Sequence, residues 1–501
     1  DLMAGAGVSY FVGRESNDTY DETLSGVQTR NAIHHQLVEG VDSYVVAGDP
    51  ESGLLPGIDP SGPGQEGSGD HRLQAYCFRM CLTDHPQNRI PFAKPDGYDP
   101  LQYELLLRNF EAGAAITPWA NSAMPNRKTD TNNNQGFSTD FIGQNYDYPE
   151  ASDAEREEII RRHRTYQQGL MWTLANHPRV PEPIRTEVAR WGTSRDEFQR
   201  DDGWQQQLYI REARRMIGDY VMTQHNCQGR RITERPIGLA AYTMDSHNVQ
   251  RYVDAQGQAR NEGDVQVGGF SPYGIDYGAI VPRQSECTNL FVPVCLSASH
   301  MAFGSIRMEP VFMVLGQSAA TAAMLAIRSD IAIQEVDYQT LQARLVADNQ
   351  VLLWTGPQRK VPIGIAVDTL PGIVLDDAEA DCQGFQSRSN SLGPFVASGY
   401  RHDGNGAKGR QTARFTFQIP DAGQYEVRMA WTAHSNRATN VPVTVSYPGG
   451  SSTARVNQRV KPKYGAFGVV GTFSLVAGKA TIEIGNDSTD GYVLIDAVQL
   501  I

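Results

Sequence analysis

The chain has 501 residues, with 57 Asp+Glu against 44 Lys+Arg, six cysteines and a formal net charge of −13. At roughly 150 residues per domain the length predicts two to four domains, while 40% hydrophobic and 20% charged residues exclude wholesale disorder and collagen-like repeats. The acidic balance argues against a general nucleic-acid binder, and no uninterrupted apolar run reaches the ~18 residues of a membrane span.

The first residues, Asp1-Leu2-Met3-Ala4-Gly5, show neither a basic n-region nor an apolar h-region, so no signal peptide is read there. Residues 48–70 are rich in Pro and Gly without periodicity and predict a loop. Leu73 to Cys81 reads as a strand. Cys77 and Cys81 form the only close cysteine pair, and with no second pair or nearby His they predict structural thiols and no metal centre. Residues 121–149 are Asn-rich and polar and read as a long loop of the kind that lines a site.

Ser152 caps a predicted helix with acids at its front and bases behind, as the macrodipole favours. A second helix is expected within Ser194–Thr223, where Leu208, Arg211, Ala213, Met216, Ile217, Tyr220 and Val221 give an approximate helical face. Mixed structure follows, with short strands at Gly278–Val281 and Leu290–Val294, then a small-residue loop and a strong helix at 311–328. After a short helical segment, Tyr338 to Asp348, the pattern changes. Residues 413–419, 425–431, 441–447, 480–484 and 492–500 alternate or run apolar between turns, which predicts an antiparallel β-sandwich.

Two G-x-G-x-x-G matches occur, Gly62 to Gly67 and Gly404 to Gly409. Neither has the strand before it and the helix after it that would bring amides and helix dipole to a pyrophosphate, so both are read as loops. The segment 286–328 is more specific. Asn289-Leu290, Ser297-Ala298-Ser299-His300, Ala302, Gly304-Ser305-Ile306-Arg307, Pro310, Gly316-Gln317 and Thr321-Ala322-Ala323 resemble the C-terminal flavin segment of bacterial FAD-dependent oxidoreductases. Ala320 stands where that family usually has Gly. Gly5–Glu15, Arg211–Arg215, Met244–His247 and Tyr273–Pro282 extend the resemblance over roughly residues 1–350.

The resemblance implies a mixed α/β flavoprotein-like region at 1–350, followed by a linker at 351–372. It implies FAD as cofactor, with Ser297, Ala298, Ser299, Arg307, Met308, Gly316 and Gln317 as cofactor-binding residues. The family carries its glycine fingerprint on an N-terminal Rossmann unit that is absent from this sequence, which leaves open a separate N-terminal fragment as partner. Residues 373–501 resemble the golvesin-type C-terminal domain found on xanthan-lyase-like secreted proteins, through Asp421–Val427, Ser435–Thr439, Val456–Arg459, Gly471–Phe473 and Asp490–Val498. Tyr464 and Phe467 occupy a stretch where that family often has Trp. This second resemblance implies a secreted or periplasmic protein with polysaccharide contact.

Flavin oxidation of an alcohol or amine carbon needs a base for the proton and a hydride path to the ring. The catalytic candidates are His300, beside the flavin segment; His247, with Asp245 to orient its imidazole; and Tyr273, expected in a loop. His34, His35 and His71 read as ordinary. The expected function is oxidation of a polar organic, sugar-derived substrate by hydride transfer to flavin N5, with no electron acceptor indicated. The alternative is a non-catalytic secreted binding protein on a degenerate oxidoreductase scaffold. A polysaccharide lyase or hydrolase is a third reading, for which no carboxylate pair at a recognisable spacing is found.

Overall fold

The computed structural model describes residues 1–359, 362, 364–385, 387–390 and 392–501. The chain divides into two compact units, Asp1–Arg359 and Lys360–Ile501. Part of the expected linker, at 360, 361 and 363, lies outside the described residues.

The first unit is mixed α/β. Its longest helix, Asp153–Asn176, starts as the sequence dictates: Ser152 and Glu155 form a reciprocal capping box. The helix buries Ile159, Tyr166, Leu170, Met171 and Leu174. Most of these join Tyr103, Leu106 and Phe110 in one apolar cluster, each fully buried aliphatic side chain contributing about 1.5–3 kcal/mol. A five-stranded antiparallel sheet has the order Arg89–Ile90, Gly192–Ser194, Leu82–Thr83, Lys128–Asn133, Trp119–Met124.

Several expectations are corrected. The polar stretch 121–149 does not begin as a loop, because Trp119–Met124 and Lys128–Asn133 form a hairpin. Thr129, Thr131 and Asn133 point inward from its second strand. Hydrogen bonds between the Thr129 and Thr131 hydroxyls at 2.7 Å, and from Thr131 to Asn121 at 2.6 Å, let hydroxyls stand where apolar residues usually signal a strand. The helix expected within Ser194–Thr223 is absent. That segment holds a short 3-10 turn at Gln199–Asp201 and a strand at Arg215–Met216 that pairs with Tyr10–Phe11. Arg211, Glu212 and Arg215 are each buried in ion pairs to other parts of the chain, and those partners override local propensity.

Leu73–Cys81 is buried but pairs only through isolated bridges at Cys77 and Met80. Tyr277–Ile280 is a 3-10 turn, and 290–296 forms no ladder strand. Pro293 lacks the amide a ladder needs. The segment is held instead by single bonds such as Val292 N to Ile280 O at 2.9 Å. The expected small-residue loop closes at Ser299, and His300–Ile306 is helical. The expected helices at 311–328 and 338–348 are present as Glu309–Ser329 and Tyr338–Ala347.

The Glu309–Ser329 helix is long and apolar enough to cross a membrane by length and composition, with 28% of its most apolar window buried in the unit. Gln317, Ser318 and Thr321 interrupt its apolar run, which is why no span was expected from uninterrupted runs.

The second unit carries antiparallel β-sheets. A four-stranded sheet runs Ile373–Asp376, Ala497–Leu500, Gly423–Ala430, Phe467–Leu475. A five-stranded sheet runs Asp381–Gln383, Thr412–Ile419, Gly478–Gly485, Val441–Tyr447, Gly450–Val456. Strict alternation buries Ala413, Phe415, Phe417 and Ile419 on one face of their strand. They share a core with Val427, Met429 and Val498 from the other sheet, the arrangement of a sandwich.

Candidate active site

The site is built around the strand Met244–Ser246, paired antiparallel with Val265–Val267. Pleating buries Met244 and Ser246 and turns Asp245 toward the opposite side. The His300–Ile306 helix packs on this strand at Gly304, where a Cβ would stand 3.0 Å from the Asp245 carbonyl oxygen.

His300 is the first residue of that helix and is enclosed. Its Nδ1 meets Glu212 Oε2 at 2.8 Å and its Nε2 meets the Ser246 hydroxyl at 3.0 Å. Its backbone N–H donates to Glu15 at 3.1 Å. Glu212 also pairs with Arg215 at 2.7 Å and accepts from Gln74 at 2.8 Å. Burial pushes the Glu212 carboxyl up, but the charges of His300 and Arg215 outweigh it and hold the group at about 2.

His247 follows directly on the strand. Its backbone N–H donates to Gln74 Oε1 at 3.2 Å, and its Nδ1 lies 2.8 Å from Asp140 Oδ2. Its Nε2 lies 3.6 Å from Asp245 Oδ2, beyond hydrogen-bond reach. Asp140 is held by Arg211 at 3.0 Å, and Asp245 by Arg307 at 3.1 Å. Burial raises both carboxyls, yet Arg211 and His247 pull Asp140 below the usual carboxylate range, while His247 and Arg307 pull Asp245 well below it. His247 and His300 thus belong to one hydrogen-bonded chain, Asp140–His247–Gln74–Glu212–His300–Ser246.

Tyr273 is not a loop residue. It opens the strand Tyr273–Asp276, is buried, and donates to Ser305 at 2.7 Å. Burial raises its hydroxyl well above the ordinary range, so it stays protonated. Asp245 and His247 keep some side-chain exposure, 14% and 9%, whereas His300 is enclosed at 2%.

Sequence reasoning passed over four partners. Asp140 lay inside the stretch read as a loop, and Glu212 inside the expected helix. His35, set aside as ordinary, pairs with Asp264 at 2.7 Å, and that carboxylate outweighs burial to raise the imidazole to about 9. His35 also sits at φ 46°, an unusual conformation for a side-chain-bearing residue. A separate cleft of about 370 Å³, lined by Arg79, Cys81, Met124, Lys128, Glu197 and Phe198, includes none of the predicted site residues.

The cofactor candidates fall into two groups. Ser297, Ala298 and Ser299 are buried with their polar groups committed. The Ser297 hydroxyl accepts from Gly218 N at 3.0 Å, the Ala298 carbonyl accepts from Arg215 at 2.7 Å, and the Ser299 hydroxyl donates to Glu22 at 2.7 Å. Arg307, Met308, Gly316 and Gln317 differ. The Arg307 Nε is buried without a hydrogen-bond partner among the described residues. Met308 precedes the Glu309–Ser329 helix and gives its N-terminus no side-chain cap. Gly316 faces open space, with no atom within 4 Å of a Cβ placed there. Pro310 has no amide and the Val311 and Phe312 amides donate to the Met308 carbonyl, so the fit to a flat, electron-accepting ring rests on the unpaired Arg307 donor and the open turn at Gly316. Both G-x-G-x-x-G matches lie in turns and irregular chain, so neither forms a dinucleotide fingerprint.

Comparison with known families decides the class of the first unit. The family model described as FAD dependent oxidoreductase matches residues 1–345. This chain belongs to the FAD dependent oxidoreductase family. A second family model, the golvesin C-terminal domain, matches residues 374–501. A xanthan lyase of Bacillus sp. (strain GL1) is 32% identical over 153 residues, covering 29% of this chain and 16% of that protein. This oxidoreductase-family chain therefore spans only a small part of that relative. Among solved structures, a Paenibacillus xanthan lyase matches at 40% identity over 26% of this chain and 12% of its own, with a TM-score of 0.24. CBM35 from Cellvibrio japonicus Abf62 matches at 17% identity over 26% and 91%, with a TM-score of 0.21.

Proposed function

We propose that the first unit is the substrate-facing part of a flavin oxidoreductase acting on a polar, sugar-derived alcohol or amine, with His247 as the proton acceptor. The observation that carries this reading is the geometry around its imidazole. Nδ1 faces the buried Asp140 carboxylate at 2.8 Å, with the Asn133 amide 3.3 Å away, which leaves Nε2 as the ring nitrogen to exchange a proton with substrate. Among the described residues no acceptor in hydrogen-bond range occupies Nε2, and Asp245 at 3.6 Å can stabilise the imidazolium once a proton arrives. Arg307 holds Asp245 in place. His300 is a positioning residue, fixing Ser246 and through it the strand that carries His247.

FAD, when bound, would supply a two-electron acceptor for the hydride of the substrate. Arg307, Met308, Gly316 and Gln317 would hold its ring end. Its adenylate end would need a dinucleotide-binding segment beyond the residues described. The apolar outer face of the Glu309–Ser329 helix, with Met313 and Ile327 each 73% exposed, is consistent with such a segment packing there. The golvesin-type unit supports a secreted or periplasmic location and contact with a polysaccharide.

The test is anaerobic reduction of the flavin in the native protein by a panel of polyols, aldoses and amino sugars. Bleaching by one class that is lost in His247→Gln, with the oxidised spectrum intact, supports the reading. The second reading, a non-catalytic binding protein, predicts a colourless protein.

A further inference from the structure

We infer that the outer face of the four-stranded sheet in the second unit binds an acidic polysaccharide, with a sugar ring on Tyr464 and its carboxylate at Lys463. Tyr464 is 39% exposed. Its ring lies 4.0 Å from the Arg428 guanidinium carbon and 5.0 Å from Lys463 Nζ. Arg428 pairs with Glu426 at 2.6 Å, whereas Lys461 and Lys463 are exposed and have no carboxylate partner among the described residues. The patch is therefore net positive on a chain whose formal net charge is −13.

The backbone holds this platform rigidly. Tyr464 and Phe467 exchange backbone hydrogen bonds of 2.9 and 3.0 Å around Gly465, whose φ of 67° suits glycine. Below it, the Trp431 indole N–H donates to the Val460 carbonyl at 2.9 Å. Gly468 lies so close over Trp431 that a Cβ would stand 2.0 Å from the indole. The ladder shifts register between Val427 and Arg428, and such bulges re-aim side chains at binding sites. Exposed Val469, directly opposite Arg428 in the ladder, continues the apolar surface.

The face of Tyr464 not covered by Arg428 takes the C–H side of a sugar ring, and the ammonium groups of Lys461 and Lys463, which have no carboxylate partner among the described residues, select a uronate over a neutral sugar. A nucleic acid would also meet cations and a ring, but a single exposed aromatic offers no run of stacking platforms. This surface lies within the second unit and does not depend on the redox reading of the first.

The test is affinity electrophoresis of the full chain through gels containing polygalacturonate or neutral dextran. Retardation by polygalacturonate alone, weakening as salt rises, is expected. Tyr464→Ala and Lys463→Glu should each reduce it about tenfold, and Tyr464→Phe should keep it. Lys463 is exposed, so its charge reversal tests the surface even if Tyr464→Ala disturbs the loop. Unretarded wild-type chain, equal retardation by both polymers, or retardation unaffected by Lys463→Glu would overturn the assignment.

Discussion

His247 and His300 divide the work at the candidate site according to what each ring touches. In the native holoprotein, His247→Gln keeps the fold and lowers turnover by about 10²–10⁴, the range for loss of a positioned general base; steady-state kinetics checks this. His300→Ala acts differently. It removes one of three partners of Glu212, a fully enclosed carboxylate that keeps Arg215 and Gln74, so the loss falls below about 3–5 kcal/mol, the cost of a buried charge left wholly unpaired. Denaturant unfolding of the first unit reads that loss directly. His35 supplies a pH signature. Its folded-state value of about 9 lies above the ordinary 6.5, so the stability from its pair with Asp264 is full below 6.5 and is lost as pH rises through 9. The first unit should lose on the order of 2–3 kcal/mol over that window, and His35→Asn, a residue that tolerates positive φ, should flatten the profile.

Elements were legible where apolar periodicity set them and obscure where buried polar groups did. The Asp153–Asn176 and Glu309–Ser329 helices follow from a capping Ser and a small apolar run. The strands Thr412–Ile419 and Val441–Tyr447 follow from period-two alternation. The hairpin at 119–133 escaped notice because its inward positions are Thr and Asn satisfied by one another. The 194–223 segment looked helical because Leu208, Arg211, Ala213, Met216, Ile217, Tyr220 and Val221 fall at approximate helical spacing, and the distant ion pairs of Arg211, Glu212 and Arg215 that override it cannot be read from spacing. The same limit applied to the site: Met244–His247 could be located by resemblance, but Asp140 and Glu212 become visible only in three dimensions.

One element carries its own test. Asp377, near the buried Asp376 and Asp496, is raised by burial and by Asp376 to about 7. A raised carboxyl favours the folded state only while protonated, so its contribution is present below about pH 4 and lost as pH rises through 7. Asp377→Asn should stabilise the second unit at pH 8, on the order of 2–4 kcal/mol, and leave it little changed at pH 4; calorimetry of the full chain at both values would show it.

At the scale of the molecule, an oxidoreductase-family unit and a golvesin-type sandwich share one chain, and no dinucleotide fingerprint forms among the described residues of the first. Its ion-paired interior is unusually demanding: Arg14, Arg211 and Arg215 are all buried against carboxylates, and such charges survive burial only when paired. Arg307, which pairs with Asp245, lies just ahead of the Glu309–Ser329 helix. The most direct measurement of the central claim is the visible absorption spectrum of the protein isolated from its own source. The account predicts the two bands of an oxidised flavin, bleached by dithionite and perturbed in shape by Arg307→Ala. A colourless protein that neither takes up FAD nor changes its spectrum with it would contradict the account.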